Sequence, residues 1–172
     1  MKLIYILLFL ILIIGLYWIY KNTNMASSQN RVIQDGLALR SLSQPKVKEK
    51  FEMTKEHVEE NLSYERLTSM TKLYNPNNHP GHFYFRDNQL KMLYINAENL
   101  DTSIDFSDIK ATYGEGKELR SRAGKFPHWV YPEHGFAVSE DGDQVVLIEI
   151  FPNTTLEKYL SDIYVEPPKF RK

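Results

Sequence analysis

Histidines and carboxylates come close together at two places along the chain. His79 and His82 stand three residues apart, and His128 and His134 flank Trp129-Val130-Tyr131, with Glu133 beside the second of them. Three such histidines and a carboxylate can ligand a divalent metal. But His79-Pro80-Gly81-His82 is a turn-rich stretch, and no His-Glu-x-x-His or comparable spacing occurs, so no metal is expected. Asp141 and Asp143 sit as in a calcium loop, yet Asp87, Asn88 and the rest of the chain never supply the twelve-residue ligand spacing. They read as hairpin-turn residues. Tyr113-Gly114-Glu115-Gly116 lacks the third glycine and the Lys-Ser/Thr ending of a phosphate-cradling loop, so a glycine helix stop explains it.

No serine lies in a Gly-x-Ser-x-Gly elbow, and cysteine is absent, which excludes thiol catalysis and disulfides. No residue is assigned a catalytic role and no cofactor is expected. A hydrolase or small-ligand enzyme with a site near His128–His134 stays open as the alternative, because triads assemble in space rather than in sequence. A sheet cleft lined by His128, Glu133 and His134 would favour that enzyme. A flat aromatic surface would favour a binding module.

One local basic cluster stands out, made of Lys117, Arg120, Arg122 and Lys125 and bordered by Phe126, Trp129 and Tyr131. Such a patch can meet an acidic partner or anionic headgroups. Nucleic acid is not an expected partner. Setting aside Lys2 and Lys21 leaves 19 basic against 22 acidic residues, a net of −3, where a nucleic-acid surface needs a Lys/Arg-rich face.

The elements that must position these groups begin with Leu3–Tyr20, an uncharged apolar run between Lys2 and Lys21. As a helix it would reach roughly 27 Å, which predicts a single transmembrane anchor over residues 1–22. Tyr17, Trp18, Tyr20 and Lys21 would then sit at the membrane interface, with the remainder outside the cytoplasm, in a periplasm-like space. Residues 23–50 read as a polar linker. Thr54 is a good N-cap for a helix through Val58 and Leu62, and Leu67, Met70 and Leu73 suggest a second. His82–Ile95 reads as a hairpin turning at Arg86–Gln89. Ser107 opens a short helix that Gly114 stops. Trp129–Tyr131, Phe136–Val138 and Val145–Phe151 form a meander, with Asp141-Gly142 a strong hairpin signal. Leu156, Tyr159, Leu160 and Ile163 give a last helix one apolar face.

The order of helix, glycine turn, aromatic strand and hairpin occurs twice, once within residues 51–104 and again within 105–172. Thr54–Leu62, and more closely Ser107–Gly114 followed by Trp129-Val130-Tyr131 and Gly142–Ile150, resemble the SmpA/OmlA-type domain. That fold is used by a barrel-assembly accessory lipoprotein and, in tandem, by the beta-lactamase inhibitor protein. Asn61-Leu62-Ser63 stands where the family has a Leu-Gly-x-Pro turn, and the lipoprotein cysteine is missing. The resemblance implies a non-enzymatic module and transfers no catalytic residue.

The expected fold class is therefore α+β, a transmembrane helix followed by an antiparallel sheet with short helices in two tandem helix-hairpin units. The expected function is a membrane-anchored protein-binding or envelope assembly-accessory module whose partner is another envelope protein.

Overall fold

Alternating apolar side chains at Leu73, Phe83, Leu93, Ile150, Phe136 and Tyr131 fall into one row across six strands. Each is the direct cross-strand partner of the next, and all six are buried. A computed structural model of the chain describes residues 12–15, 31–74, 81–120 and 125–165. Its elements are helix α1 over residues 31–39, α2 (Gln44–Lys50), β1 (Val58–Tyr64), β2 (Leu67–Tyr74), β3 (Gly81–Arg86) and β4 (Gln89–Asn96), then α3 (Phe106–Tyr113), β5 (Lys117–Leu119), β6 (His128–Tyr131), β7 (Phe136–Asp141), β8 (Gln144–Ile150) and α4 (Leu156–Asp162). The eight strands make one antiparallel sheet in the order β1-β2-β3-β4-β8-β7-β6-β5. It consists of two four-stranded meanders whose last strands, β4 and β8, pair with each other.

The first face of the sheet holds the larger core. Ile33 and Leu39 of α1, Val47 of α2, and Phe106 and Ile109 of α3 cover that row. Fully burying a side chain of this size is worth roughly 1.5–3 kcal/mol, so the row and its cover dominate the fold. The second face carries a smaller cluster, in which Tyr159, Ile163 and Tyr164 of α4 and its exit lie on Val130, Ala137, Phe151, Met70 and Met92.

Among the described residues no helix is long and apolar enough to cross a membrane, which overturns the single-pass anchor. A bilayer core needs about 20 apolar helical residues, whereas helices α1 to α4 run over only seven to nine of the described residues. Of Leu3–Tyr20 only residues 12–15 are described, as exposed helix. Tyr17, Trp18, Tyr20 and Lys21 lie outside the described residues. The membrane and periplasmic location rested on that span and falls with it.

The two helices expected between Thr54 and Leu73 are strands. Thr54 caps only a 3-10 turn, Lys55–His57, its backbone N–H donating to His57 Nδ1 at 3.0 Å. The four-residue spacing of Val58 and Leu62 is twice the strand period, and bulges with Asn61 and Ser69 at positive φ interrupt the β1–β2 ladder. Past Ser69, Met70 joins Leu67 on the second face while Leu73 enters the first. Apolar residues on both faces of a bulged strand imitate helical spacing. The first unit thus carries a four-stranded meander rather than a hairpin.

Helix α3 borrows its cap. Asp143, in the β7–β8 turn, accepts from Ser107 N–H at 2.8 Å and from Ser107 Oγ–H at 2.9 Å. The aspartate considered for calcium is a helix cap supplied from 36 residues away.

Candidate functional site

His128 opens β6 on the second face, opposite Ser139 of β7, and is 1% exposed. Its Nδ1 lies 3.0 Å from Ser139 Oγ and its Nε2 lies 3.0 Å from the Tyr159 hydroxyl of α4. The Tyr159 hydroxyl donates to Glu149 Oε2 at 3.1 Å, and the Tyr64 hydroxyl donates to Glu149 Oε1 at 2.5 Å. Glu149, on β8, is fully buried, with Oε2 3.8 Å from His128 Nε2.

Counting donors assigns the tautomer. A phenol has one proton, and Tyr159 gives it to Glu149, so Tyr159 must accept from His128 Nε2–H. Nδ1 accepts from Ser139 Oγ–H when the ring is neutral and donates to Ser139 Oγ when it is protonated. The result is a hydrogen-bonded chain from Ser139 through His128 and Tyr159 to Glu149, with Tyr64 closing the second carboxylate oxygen. It joins four strands to α4.

A cleft of about 400 Å³ opens over this chain, lined by Tyr64, Tyr94, Phe126, His128 and Glu149 with Glu65 and Glu98 among its walls. Next to it the second face carries a row of half-buried rings. Tyr74 pairs across the ladder with His82, and His82 with Tyr94. Tyr74 meets His82 edge-on at 5.0 Å, and Tyr64 lies 4.9 Å from Tyr84 and 6.0 Å from Tyr94. Lys72 places Nζ 4.0 Å from the Tyr74 ring centroid and donates to its hydroxyl at 2.9 Å.

No protein-family model, curated protein or solved structure matches the chain.

The residues singled out from the sequence are dispersed. His128 lies in the cleft, but Glu133 and His134 are exposed in the turn at the other end of β6, beside a separate hollow lined by Tyr113, Lys117 and Tyr131. His79 and Arg122 lie outside the described residues. Lys117 is exposed on edge strand β5, and Arg120 and Lys125 are exposed in the segments between β5 and β6. Phe126 faces the cleft on the second face. Trp129 and Tyr131 point to the first face, where Trp129 lies 5.0 Å from Phe106 and Tyr131 stacks on Phe136 at 4.6 Å. Burial pushes the Tyr131 hydroxyl up to about 12. Among the described residues the aromatic border is therefore split between the two faces of the sheet. Among the described residues, no group of three or more His, Asp or Glu is arranged to hold a metal.

Sequence reasoning missed Ser139, Glu149, Tyr159 and Tyr64. One signal was present, because Glu149 is the single charge in the apolar run Val145–Phe151. A lone acid in a strand buried on both faces demands partners.

The His82 ring yields a test of the open row. Desolvation and then the charge of Lys72 lower its pKa, against a smaller opposing pull from Glu59. Its Nδ1 is buried and has no hydrogen-bond partner among the described residues. The unfolded chain therefore takes up the proton first as pH falls below the ordinary histidine value, and stability declines until pH passes the folded value. The urea midpoint is expected to fall as pH drops below the ordinary histidine value of about 6.5, and His82→Gln to flatten that fall. An identical slope in the variant would assign the loss to other groups.

Proposed function

We propose that the chain is a non-enzymatic module that binds another protein through the tyrosine row on the second sheet face. The observation that carries this reading is the half-buried line Tyr74, His82 and Tyr94, with Tyr64 and Lys72 beside it. Tyrosines offer large, stiff, amphipathic contact area at little entropic cost, which is why they recur at interface hot spots. A strand-mounted row of this kind is pre-arranged for a partner. The joining of two helix-plus-meander halves also supports kinship with the tandem SmpA/OmlA-type arrangement, and that kinship is part of the proposal.

The buried chain beneath the row argues for structure rather than turnover. Both ring nitrogens of His128 and both oxygens of Glu149 are engaged, and Ser139 is 6% exposed. One observation favours a second reading as a hydrolase: Ser139 Oγ lies 3.0 Å from His128 Nδ1, within reach of a base that could take a nucleophile's proton.

One experiment separates the two. A photo-crosslinking residue is placed at position 94 and, as a control, at exposed position 111 of α3. The captured partner is then purified and titrated. Tyr94→Ala is expected to weaken binding at least about 30-fold, the scale of a hot spot, with the unfolding midpoint little changed. Equal capture from both positions, or unchanged affinity in Tyr94→Ala, would overturn the module reading. The same preparation is exposed to a fluorophosphonate. An adduct on Ser139 would favour the hydrolase, and none is expected.

A further inference from the structure

A further hollow on the second sheet face gathers cations and shares no residue with the cleft or the tyrosine row. It holds about 730 Å³ where α4 and its approach cross the ends of two hairpins. Arg66 comes from the β1–β2 turn, Arg86 from the end of β3, Lys91 from β4 and Lys158 from α4, and Asp162 is the single acid in the lining. Among the described residues none of these four cations is in an ion pair. We propose that this hollow binds the phosphoryl group of a small soluble molecule. The inference does not rest on the binding-module reading and gives the chain a second, separate ligand.

The observation that points to a ligand is Arg86. The side chain is partly buried, and its Nε is enclosed with no hydrogen-bond partner among the described residues. A guanidinium keeps its charge, so an enclosed N–H without an acceptor is a cost that an incoming oxyanion removes. The neighbouring donors are preset. Arg66 donates through Nε to Tyr164 O at 2.7 Å, which fixes the side chain and leaves its terminal N–H groups for a ligand. Lys91 Nζ gives one proton to Gln89 Oε1 at 2.9 Å and keeps two. Asn153 accepts from Arg40 through Oδ1, so its amide N–H₂ remains a neutral donor in the lining, beside the Thr154 hydroxyl.

Charge decides the class of ligand. Four cations less one carboxylate leave +3, more than a single ligand carboxylate neutralises and better matched by a phosphoryl dianion. Arginine forks also fit phosphate oxygens in pairs. The volume falls within the range of small-ligand sites. A lipid headgroup would bring the same chemistry, but its acyl chains call for an apolar rim. Leu67 and Ile163, the aliphatic side chains of the lining, are both buried, so no exposed aliphatic side chain borders the hollow among the described residues.

The test follows the arginine Nε–H signals of the full chain by NMR, with pyrophosphate as the probe and acetate at matched ionic strength as the comparison. A saturable shift at Arg86 is expected with pyrophosphate, and binding at least about tenfold weaker with acetate. Arg86→Lys keeps the charge but loses the fork and the enclosed Nε, and should weaken pyrophosphate about tenfold. Lys158→Gln changes only an exposed side chain and should weaken it several-fold without moving the unfolding midpoint. No saturable shift at Arg86, an equal response to acetate, or unchanged affinity in both variants would overturn the inference. Vesicles of phosphatidylcholine and phosphatidic acid test the other source. Sedimentation with them that Arg86→Lys abolishes, without any pyrophosphate shift, would give the hollow to a membrane surface and overturn the inference as well.

Discussion

Glu149→Ala is expected to lower the unfolding free energy by about 3–5 kcal/mol, among the largest effects of any single substitution in this chain. The carboxylate is fully buried on β8 and accepts from Tyr64 and Tyr159 while His128 Nε2 lies 3.8 Å away. Alanine removes the acceptor from both phenols and leaves a void that no water-exposed group can fill. A buried donor stripped of its partner costs about 1–3 kcal/mol, and two phenols lose theirs at once. Relaxation of Tyr64, at the cleft edge, will recover part of that loss.

Glu149→Gln distinguishes the contributions. The amide keeps one acceptor oxygen but turns an N–H₂ group toward the other hydroxyl, so about 1–3 kcal/mol should be lost instead. The comparison measures broken partners, not the net worth of the network, since a wholly apolar replacement of similar volume can be neutral. Urea unfolding reads both numbers. Hydrogen exchange adds a local signature, because Tyr159 joins α4 to the network: the α4 amides should lose protection before those of β3 and β4. A loss below about 1 kcal/mol in Glu149→Ala would show that the chain from Ser139 to Glu149 holds nothing together.

The contrast between legible and illegible parts follows from the same chemistry. The β3–β4 hairpin, the β6–β8 meander, α3 and α4 announce themselves because each combines one clean period with a local turn or cap signal. Asp141-Gly142 marks a turn, and Thr155 caps α4 by accepting from Lys158 N–H at 3.3 Å. Strands β1 and β2 hide because their bulges shift apolar residues between faces. The apolar run at the start of the chain showed length and hydropathy but not structure, and the anchor inferred from it did not survive. The site was harder still. His128 was visible as chemistry, yet nearness in sequence joined it to Glu133 and His134, which the β6 strand carries away. Its actual surroundings lie 11, 21 and 31 positions on, at Ser139, Glu149 and Tyr159. Only the sheet register brings them together.

Register also makes one glycine indispensable. Gly135 has φ of +80° in the β6–β7 turn, a region that β-branched residues avoid. Its N–H donates to Tyr131 O at 2.9 Å and its carbonyl accepts from Phe151 N–H at 2.9 Å. A Cβ there would stand 2.5 Å from the Phe151 carbonyl oxygen, 2.5 Å from Arg40 Nη1 and 2.8 Å from Asn153 Oδ1. Two of those atoms form a latch. Arg40, just after α1, donates to His134 O at 3.0 Å and to Asn153 Oδ1, tying the first covering helix to the turn and to the segment after β8.

Gly135→Val should therefore cost about 3–5 kcal/mol, the sum of a strained backbone and an overpacked contact. Gly142 supplies the control. It too has positive φ, at +58°, but a Cβ at that position would meet nothing within 4 Å. Gly142→Val should lose only the backbone contribution, about 1–2 kcal/mol. Unfolding in urea measures both. The difference between the two variants isolates the collision with Phe151 and the Arg40 latch, and equal losses would mean that the turn can move away from both without consequence. The Phe151 backbone carbonyl, just past the end of β8, cannot swing aside as a side chain can, so the collision should be resolved by displacing the turn. That displacement breaks the Phe151 N–H bond and the grip of Arg40 together, which loosens α1 from the very row of buried side chains it covers.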